Sequence, residues 1–145
     1  MVKVLIKKLN PLVKTPTYKT SGASGMDLMA FIDKPITLKP KPSSLIPTGL
    51  SVAFSPEYEI QIRPRSGLAA KKNISVLNTP GTIDSDYRGE IKIILFNHGD
   101  NDFIINNGDR IAQMILTPVL KMELEEVKNL PDTTRGKGGF GSTGK

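Results

Sequence analysis

The chain has 145 residues, of which 23% are charged, and a formal net charge of +6. This length suits one domain with its own core, and the absence of cysteine together with a single histidine excludes a disulfide framework, a cysteine nucleophile and a multi-histidine zinc site. The basic charge is compatible with an anionic partner such as nucleic acid, a membrane surface or a polyphosphate, but does not choose among them.

Short apolar or alternating runs, separated by Gly, Pro, Asn and Asp, predict the elements in chain order. They predict strands over residues 2–7, 26–30, 36–39, 50–54, 58–63, 74–77, 90–97, 102–105, 110–117 and 122–127. The one predicted helix is short, over residues 67–72. Many short strands at this spacing are typical of an all-β sandwich or barrel.

The ends of the chain differ in character. Residues 1–10 interleave lysines with apolar residues, which indicates a strand and not a signal peptide, and the longest apolar run, 93–96, is far too short to span a membrane. We therefore expect a soluble intracellular, cytoplasmic protein that does not engage a membrane.

Pro118 interrupts the strand pattern between residues 110 and 127, because proline cannot donate a ladder hydrogen bond. The predicted strand at 122–127 is thus free to pair elsewhere, including on another subunit. The glycine-rich composition of residues 131–145 predicts a flexible arm. We expect a β-barrel domain over 1–130 and an arm over 131–145.

Residues 81–90, GTIDSDYRGE, combine two carboxylates, a tyrosine and an arginine between glycines. In an extended conformation Asp84 and Asp86 would share one face while Ile83 points into a core. An acidic surface turn and a ligand-binding hairpin both remain open from this segment alone.

Two further segments carry residue types suited to an anion. Arg65 and Ser66 follow a predicted strand and open the predicted helix, where an anion site competes with an ordinary capped turn. In residues 108–115, Arg110 is predicted to be a structural ion-pair residue and Gln113 a ligand contact. Asp27 lies between apolar residues, where a structural hydrogen-bonded role competes with one near a metal.

Phe140 stands alone among the glycines of the arm. An aromatic ring there has a use if it stacks on a nucleobase, a contact that contributes about 1 to 3 kcal/mol. Arg135, Ser142 and Thr143 could then bind phosphate oxygens. A P-loop is not indicated, because no strand-loop-helix pattern surrounds the segment.

Five segments together resemble, in order, the five motifs of the trimeric deoxyuridine triphosphate nucleotidohydrolases, the dUTPases. They are SGMDL at 24–28, PRSGLA at 64–69, GTIDSDYRGE at 81–90, GDRIAQMI at 108–115 and RGKGGFGSTG at 135–144. The resemblance spans nearly the whole chain. The visible departure is Ser24, where the family usually has alanine.

The resemblance implies an all-β subunit, a distorted β-barrel or jelly-roll, whose C-terminal strand and arm are exchanged in a homotrimer. It implies hydrolysis of dUTP to dUMP and pyrophosphate with Mg²⁺, which keeps uracil out of DNA and supplies dUMP for thymidylate synthesis. The partners implied are dUTP and two further copies of the chain, not nucleic acid.

It also implies roles for individual residues. Asp84 would be the general base that activates the attacking water, with Asp86 structural. The nucleoside would be bound by Asn78, Gly81, Thr82, Ile83 and Tyr87, with Tyr87 stacking on the deoxyribose and excluding a 2′-hydroxyl. Lys92 is a further candidate contact, although a solvated strand lysine is the alternative.

The phosphate chain would be bound by other motifs. Arg65, Ser66, Gly67 and Gln113 would contact phosphate oxygens, and Asp27 would touch the hydration shell of a Mg²⁺ held mainly by the triphosphate. The arm would contribute Arg135, Phe140, Gly141, Ser142 and Thr143, with Phe140 covering the uracil. The family architecture distributes these contacts over three subunits.

Two alternatives remain. A dCTP deaminase or a bifunctional deaminase of the same superfamily shares part of the pattern, although the complete arm and hairpin argue against it. A nucleic-acid-binding β-barrel would suit the charge of +6, but aromatic residues make up only 6% of the chain and do not follow one set of strands.

Overall fold

The computed structural model of the chain describes residues 1–139, which form eleven short strands and one short helix without buried residues. The strands are β1 (Leu5–Lys8), β2 (Met26–Met29), β3 (Ile36–Leu38), β4 (Ser43–Pro47), β5 (Leu50–Ala53), β6 (Tyr58–Arg63), β7 (Ile74–Val76), β8 (Gly81–Ile83), β9 (Lys92–Asn97), β10 (Phe103–Ile105) and β11 (Arg110–Pro118). The helix α1 (Ser66–Lys72) lies between β6 and β7. The predicted all-β fold with one short helix is confirmed.

All strand pairs are antiparallel. A four-stranded sheet has the order β2-β11-β6-β8 and a three-stranded sheet the order β4-β9-β7, while β1 pairs with β5 and β3 with β10. Alternation along the strands directs one set of side chains inward, as in β9, where Ile93 and Leu95 are fully buried and Lys92 is exposed. The site elements β6, β8 and β11 therefore share one sheet backed by the core.

The core consists almost entirely of isoleucine, leucine and valine, for which burial of each large side chain contributes about 1.5 to 3 kcal/mol. Among the described residues, two of the three buried polar side chains, Thr48 and Asn97, make hydrogen bonds to backbone carbonyls. Thr48 Oγ1 donates to the carbonyl of Ile91 at 2.6 Å, and Asn97 Nδ2 donates to the carbonyl of Leu38 at 3.0 Å. These bonds offset the cost of removing the polar groups from water.

Two strands, β4 and the three-residue β8, were not predicted. β4 pairs with β9 from Ser43 opposite Phe96 to Pro47 opposite Lys92. Prolines at 40 and 42 precede β4, and Pro47 is its last residue. Read locally, these prolines indicate a loop. Pairing with β9, which is distant in sequence, overrides that local signal.

The strand predicted over residues 122–127 is wrong for the single chain, in which no strand follows β11 within the described residues. Leu120, Met122 and Leu124 are 95%, 85% and 86% exposed. A strand needs a neighbour for its backbone groups, and this segment has none in its own chain.

No helix in residues 1–139 combines the length and hydropathy needed to span a membrane.

Candidate functional site

An open pocket of about 260 Å³ lies beside the hairpin that joins β8 to β9. Thr82, Asp84, Tyr87 and Lys92 all line it, with the exposed Leu45 of β4 beside them. β8 ends at Ile83, which packs against the core, so the next side chain, Asp84, emerges into solvent at the pocket. Within this decapeptide, the Asp84 carboxylate and the Tyr87 ring therefore line the same pocket.

Hydrogen bonds within the hairpin hold its shape. The Tyr87 amide donates to the Asp84 carbonyl at 3.1 Å, and Tyr87 Oη donates to the Glu90 carbonyl at 3.0 Å. Arg88 donates from Nη1 to the carbonyls of Ser85 at 2.7 Å and Tyr87 at 3.0 Å. The positions of Asp84 and Tyr87 are therefore coupled through the backbone between them.

Glu90 ties this hairpin to the body of the protein. Its Oε1 accepts the amide of Gly49 at 2.8 Å, in the turn between β4 and β5, where Gly49 has φ +68°. Lys92 Nζ lies 3.7 Å from Glu90 Oε2, and the Lys92 side chain is 45% exposed. Lys92 thus has an ion-pair partner and still lines the pocket.

The start of the hairpin is tightly packed against one predicted site residue. Gly81 is buried, and a Cβ atom built on it would lie 3.1 Å from Asn78 Nδ2 and 3.5 Å from Ile62. A larger residue at 81 would press on Asn78. Thr82 points outward, opposite Gln61 in the neighbouring strand.

A second cluster lies where β2, β11 and the start of α1 meet. Asp27 Oδ1 accepts Arg65 Nε at 2.8 Å, and Asp27 Oδ2 accepts Arg110 Nη1 at 3.1 Å. Arg65 Nη1 also donates to the Arg110 carbonyl at 3.2 Å. Arg110 is the ion-pair residue that the sequence predicted, and the two guanidinium groups share one carboxylate.

Gln113 lies beside this cluster, because it pairs with Asp27 on one side and with Arg63 on the other. Its Nε2 donates to the Pro64 carbonyl at 2.9 Å. At the start of α1, Ser66 and Gly67 are exposed, and a Cβ atom at Gly67 would meet nothing within 4 Å. Gln113 therefore lies next to the segment that carries Arg65, Ser66 and Gly67, so the fold brings residues of two separate motifs together.

The two clusters do not meet within one chain. Arg65 follows the end of β6 and Asp84 follows the end of β8, and these strands are antiparallel with Ile62 opposite Gly81 and Ile60 opposite Ile83. Asp84 is therefore level with Glu59, four residues before Arg63, which is a separation of about 14 Å along the strands. Arg65 and Arg110 line a different pocket, of about 310 Å³.

The arm is only partly described. Residues 134–137 form a turn in which Arg135 Nε donates to the Gly138 carbonyl at 2.9 Å, and Arg135 is exposed. Phe140, Gly141, Ser142 and Thr143 lie outside the described residues. Arg135 makes no side-chain hydrogen bond or ion pair with either cluster within residues 1–139.

Carboxylates are too sparse in the described part of the chain to form a metal cage: no group of three or more His, Asp or Glu side chains could hold an ion. Each oxygen of Asp27 already accepts one hydrogen bond from an arginine. Its free lone pairs can still accept a bond from a water, which fits an outer-shell contact to a Mg²⁺ carried by phosphate oxygens.

Three residues around the hairpin pocket were not predicted as site residues: Leu45, Glu90 and Ile94. Leu45 contributes an apolar wall, but it lies on the unpredicted strand β4 and carries no local signal. Glu90 belongs to the decapeptide, yet its role as an anchor depends on Gly49, 41 positions away. Asp86, expected to be structural, is exposed, and no described side chain or amide donates to its carboxylate.

Comparison with known proteins identifies the family. A family model described as dUTPase matches residues 12–144. The chain is 54% identical over 143 residues to the deoxyuridine 5′-triphosphate nucleotidohydrolase of Hydrogenobaculum sp. (strain Y04AAS1), with 99% of each protein covered. It is 52% identical over 143 residues to the protein of the same name in Gloeothece citriformis (strain PCC 7424), covering 99% of this chain and 97% of that one.

Solved structures share the fold. A dUTPase mutant of Staphylococcus bacteriophage 80alpha, solved with dUpNHpp, has a TM-score of 0.84 at 22% identity and covers 99% of each chain. A mutant dUTPase from phage phi11 of S. aureus, described with a structural Mg(II) ion, has a TM-score of 0.80 at 20% identity over 90% of this chain and 99% of that one. With the matched family model and the two relatives above 50% identity, the chain belongs to the dUTPase family and has dUTP diphosphatase activity.

Proposed function

We propose that the reaction proceeds by attack of a water, activated by Asp84, on the α-phosphorus of dUTP. The water transfers a proton to the Asp84 carboxylate as its oxygen bonds to phosphorus, and the bond from the α-phosphorus to the bridging oxygen breaks, releasing pyrophosphate and leaving dUMP. The observation that carries this assignment is the position of Asp84. Its exposed carboxylate shares a pocket with Tyr87, and no described residue forms an ion pair with it.

The nucleoside end of dUTP would lie along the hairpin. Backbone groups at Gly81, Thr82 and Ile83, together with Asn78, would contact the uracil edge, and Tyr87 would stack on the deoxyribose. Support comes from the packing of Asn78 against Gly81 and from the pocket shared by Tyr87, Thr82 and Asp84. Lys92 lines the same pocket and would contact the nucleotide. To do so, its ammonium group would give up its 3.7 Å ion pair with Glu90.

The triphosphate would be bound by the second cluster. Arg65, Ser66, Gly67 and Gln113 would contribute a guanidinium, a hydroxyl, an open backbone and an amide to the phosphate contacts. Asp27 would hold Arg65 in place and reach the hydration shell of the bound ion. Mg²⁺ on the triphosphate would neutralise phosphate charge and orient its oxygens.

A complete site would need more than one chain. The nucleoside pocket and the phosphate cluster lie at opposite ends of the β6/β8 pair, and a homotrimer would bring the hairpin of one subunit to the phosphate cluster of the next. The exposed segment 122–127 would then pair as a strand with a neighbouring subunit. The domain limits remain our expectation: a barrel over 1–130 and an arm over 131–145.

The arm would close the site. Arg135, Ser142 and Thr143 would bind terminal phosphates, Gly141 would let the backbone approach them, and Phe140 would cover the uracil. Exclusion of bulk water would strengthen these charge contacts and hold an in-line geometry.

A nucleotide panel tests the proposed reaction. With Mg²⁺ present, pyrophosphate release should be selective for dUTP over dTTP, dCTP and UTP. Equal turnover of dTTP or UTP would overturn the recognition scheme, and release of ammonia from dCTP would instead indicate a deaminase.

Substitution of Asp84 tests the base. Asp84→Asn should lower kcat by about 10² to 10⁴, because an amide cannot accept the proton from water. Asp86→Asn is the matched control, two positions away and exposed, and its kcat should change by no more than about threefold. Retention of full activity by Asp84→Asn would refute the assignment.

A further inference from the structure

Gly89 lies directly against the ring of Tyr87. A Cβ atom built on Gly89 would lie 2.5 Å from Tyr87 Cζ and 2.9 Å from Cε2, and it would also overlap Tyr87 Oη. Separations under 3 Å between such atoms do not occur without movement of one of them. The space that a side chain at 89 would need is therefore taken by the tyrosine ring.

The backbone gives no other reason for glycine at this position. Gly49 and Gly108 have φ of +68° and +85°, a region that favours glycine, whereas φ at Gly89 lies outside it. An alanine at 89 is thus compatible with the backbone, and the three atoms nearest to its Cβ would all belong to Tyr87.

Tyr87 is the partner that would move. Tyr87 is 44% exposed and is not part of the core cluster, so its ring can rotate into solvent without opening the core. In the present position its hydroxyl donates to the Glu90 carbonyl at 3.0 Å, one residue beyond Gly89. The ring is therefore held between a hydrogen bond at its tip and the bare Cα of Gly89 at its edge.

We propose that Gly89 is a specificity-determining positioning residue: the absence of a side chain there sets the place of the Tyr87 ring, and through it the discrimination between deoxyribose and ribose. This inference rests on the proposed function of Tyr87 in sugar recognition. Gly89 itself contacts no substrate atom in this scheme and acts only through the ring.

The test is a double-mutant cycle on sugar selectivity, the ratio of kcat/KM for dUTP to that for UTP. Gly89→Ala should lower this ratio by at least about tenfold, because displacement of a binding group by about 1 Å commonly costs one to two orders of magnitude. Tyr87→Ala should lower it to a similar extent. In the Tyr87→Ala background, Gly89→Ala should cause no further loss.

The outcomes separate the two claims. If Tyr87→Ala keeps the selectivity, the proposed role of Tyr87 fails. If Tyr87→Ala loses selectivity while Gly89→Ala retains it, or if the two losses add, the inference about Gly89 fails. Should Gly89→Ala unfold, the double variant must recover the fold, since the conflicting ring is gone; a double variant that stays unfolded overturns the inference.

A spectroscopic measurement checks the ring directly. The chain has three tyrosines and no tryptophan, so in a Tyr18→Phe/Tyr58→Phe background the ultraviolet emission reports Tyr87 alone. Titration with dUMP should change this emission, and Gly89→Ala should reduce the change by about half or more, as a displaced ring loses contact with the sugar. An identical titration would contradict ring displacement. Gly22→Ala is the matched control, because a Cβ there meets nothing within 4 Å.

Discussion

At the scale of single residues, the Asp27 carboxylate forms ion pairs with two arginines, Arg65 and Arg110. The Asp27 side chain is 17% exposed, against 25% for Arg65 and 49% for Arg110. Each ion pair of this exposure contributes about 1 kcal/mol or less to stability, so the pairs matter more for geometry than for folding. Asp27 keeps the Arg65 fork beside Gln113 while leaving other N–H groups free for phosphate.

Asp27→Asn tests this positioning role. Loss of the negative charge leaves two guanidinium groups close together, and Arg65 should leave its place. We expect kcat/KM for dUTP to fall about tenfold while the free energy of unfolding falls by about 1 kcal/mol. Steady-state kinetics and urea denaturation measure the two effects, with the exposed Asp100→Asn as the control. An unchanged kcat/KM would remove Asp27 from the site.

At the scale of elements, the segment after β11 has the pattern of a strand but pairs with no strand within residues 1–139. Leu120, Met122 and Leu124 alternate with Lys121, Glu123 and Glu125, and the three apolar side chains are at least 85% exposed. Such alternation gives one apolar face and one charged face in an extended chain. An apolar face of this kind is stable in water only when another surface covers it.

Leu124→Asp should therefore weaken assembly of the proposed homotrimer. Burial of a leucine contributes about 1.5 to 3 kcal/mol per chain, so the dissociation midpoint should rise by one to two orders of magnitude. Sedimentation equilibrium over a concentration series measures it. Lys121→Asp introduces the same carboxylate on the opposite, charged face. The molecular mass of the assembly should then stay that of the wild type. Equal behaviour of both variants would exclude this strand exchange.

At the scale of the whole molecule, every motif is present in each chain while the two clusters remain apart. The antiparallel order of β6 and β8 sends the chain into Arg65 at one end of the pair and into Asp84 at the other. The proposed homotrimer would bring them together, because each of its interfaces would join the hairpin of one chain to the phosphate cluster of another. A substitution that inactivates one cluster in one chain would then disable only the site to which that cluster contributes, and the sites at the other interfaces would stay intact.

Mixed oligomers test this arrangement. Asp84→Asn chains and Arg65→Ala chains should each be nearly inactive alone. Co-expressed in equal amounts, they should recover roughly a quarter of the wild-type activity, since one interface in four then pairs an intact Asp84 with an intact Arg65. If both residues acted within one chain, the mixture would be no more active than its parents. Mixing without subunit exchange is the control.

Local patterns predicted most of the strands and the composition of the site. Period-two alternation directs side chains such as Ile93 and Leu95 inward whatever partner the strand finds, and the chemistry of the Asp84 hairpin lies within ten consecutive residues. β4 was missed because its prolines are a local loop signal and its partner β9 lies far along the chain. Glu90 as an anchor was missed for the same kind of reason.

The sequence by itself determined which side chains are available, which face of each strand they take, and the family to which the motifs belong. Only the tertiary structure decided that Asp27 joins Arg65 to Arg110, that Gly89 makes room for Tyr87, and that Asp84 lies far from Arg65 in the same chain. The physical reason is that local spacing sets the direction of a side chain, whereas its neighbours follow from strand register between segments distant in sequence, and that register is a property of the packed core.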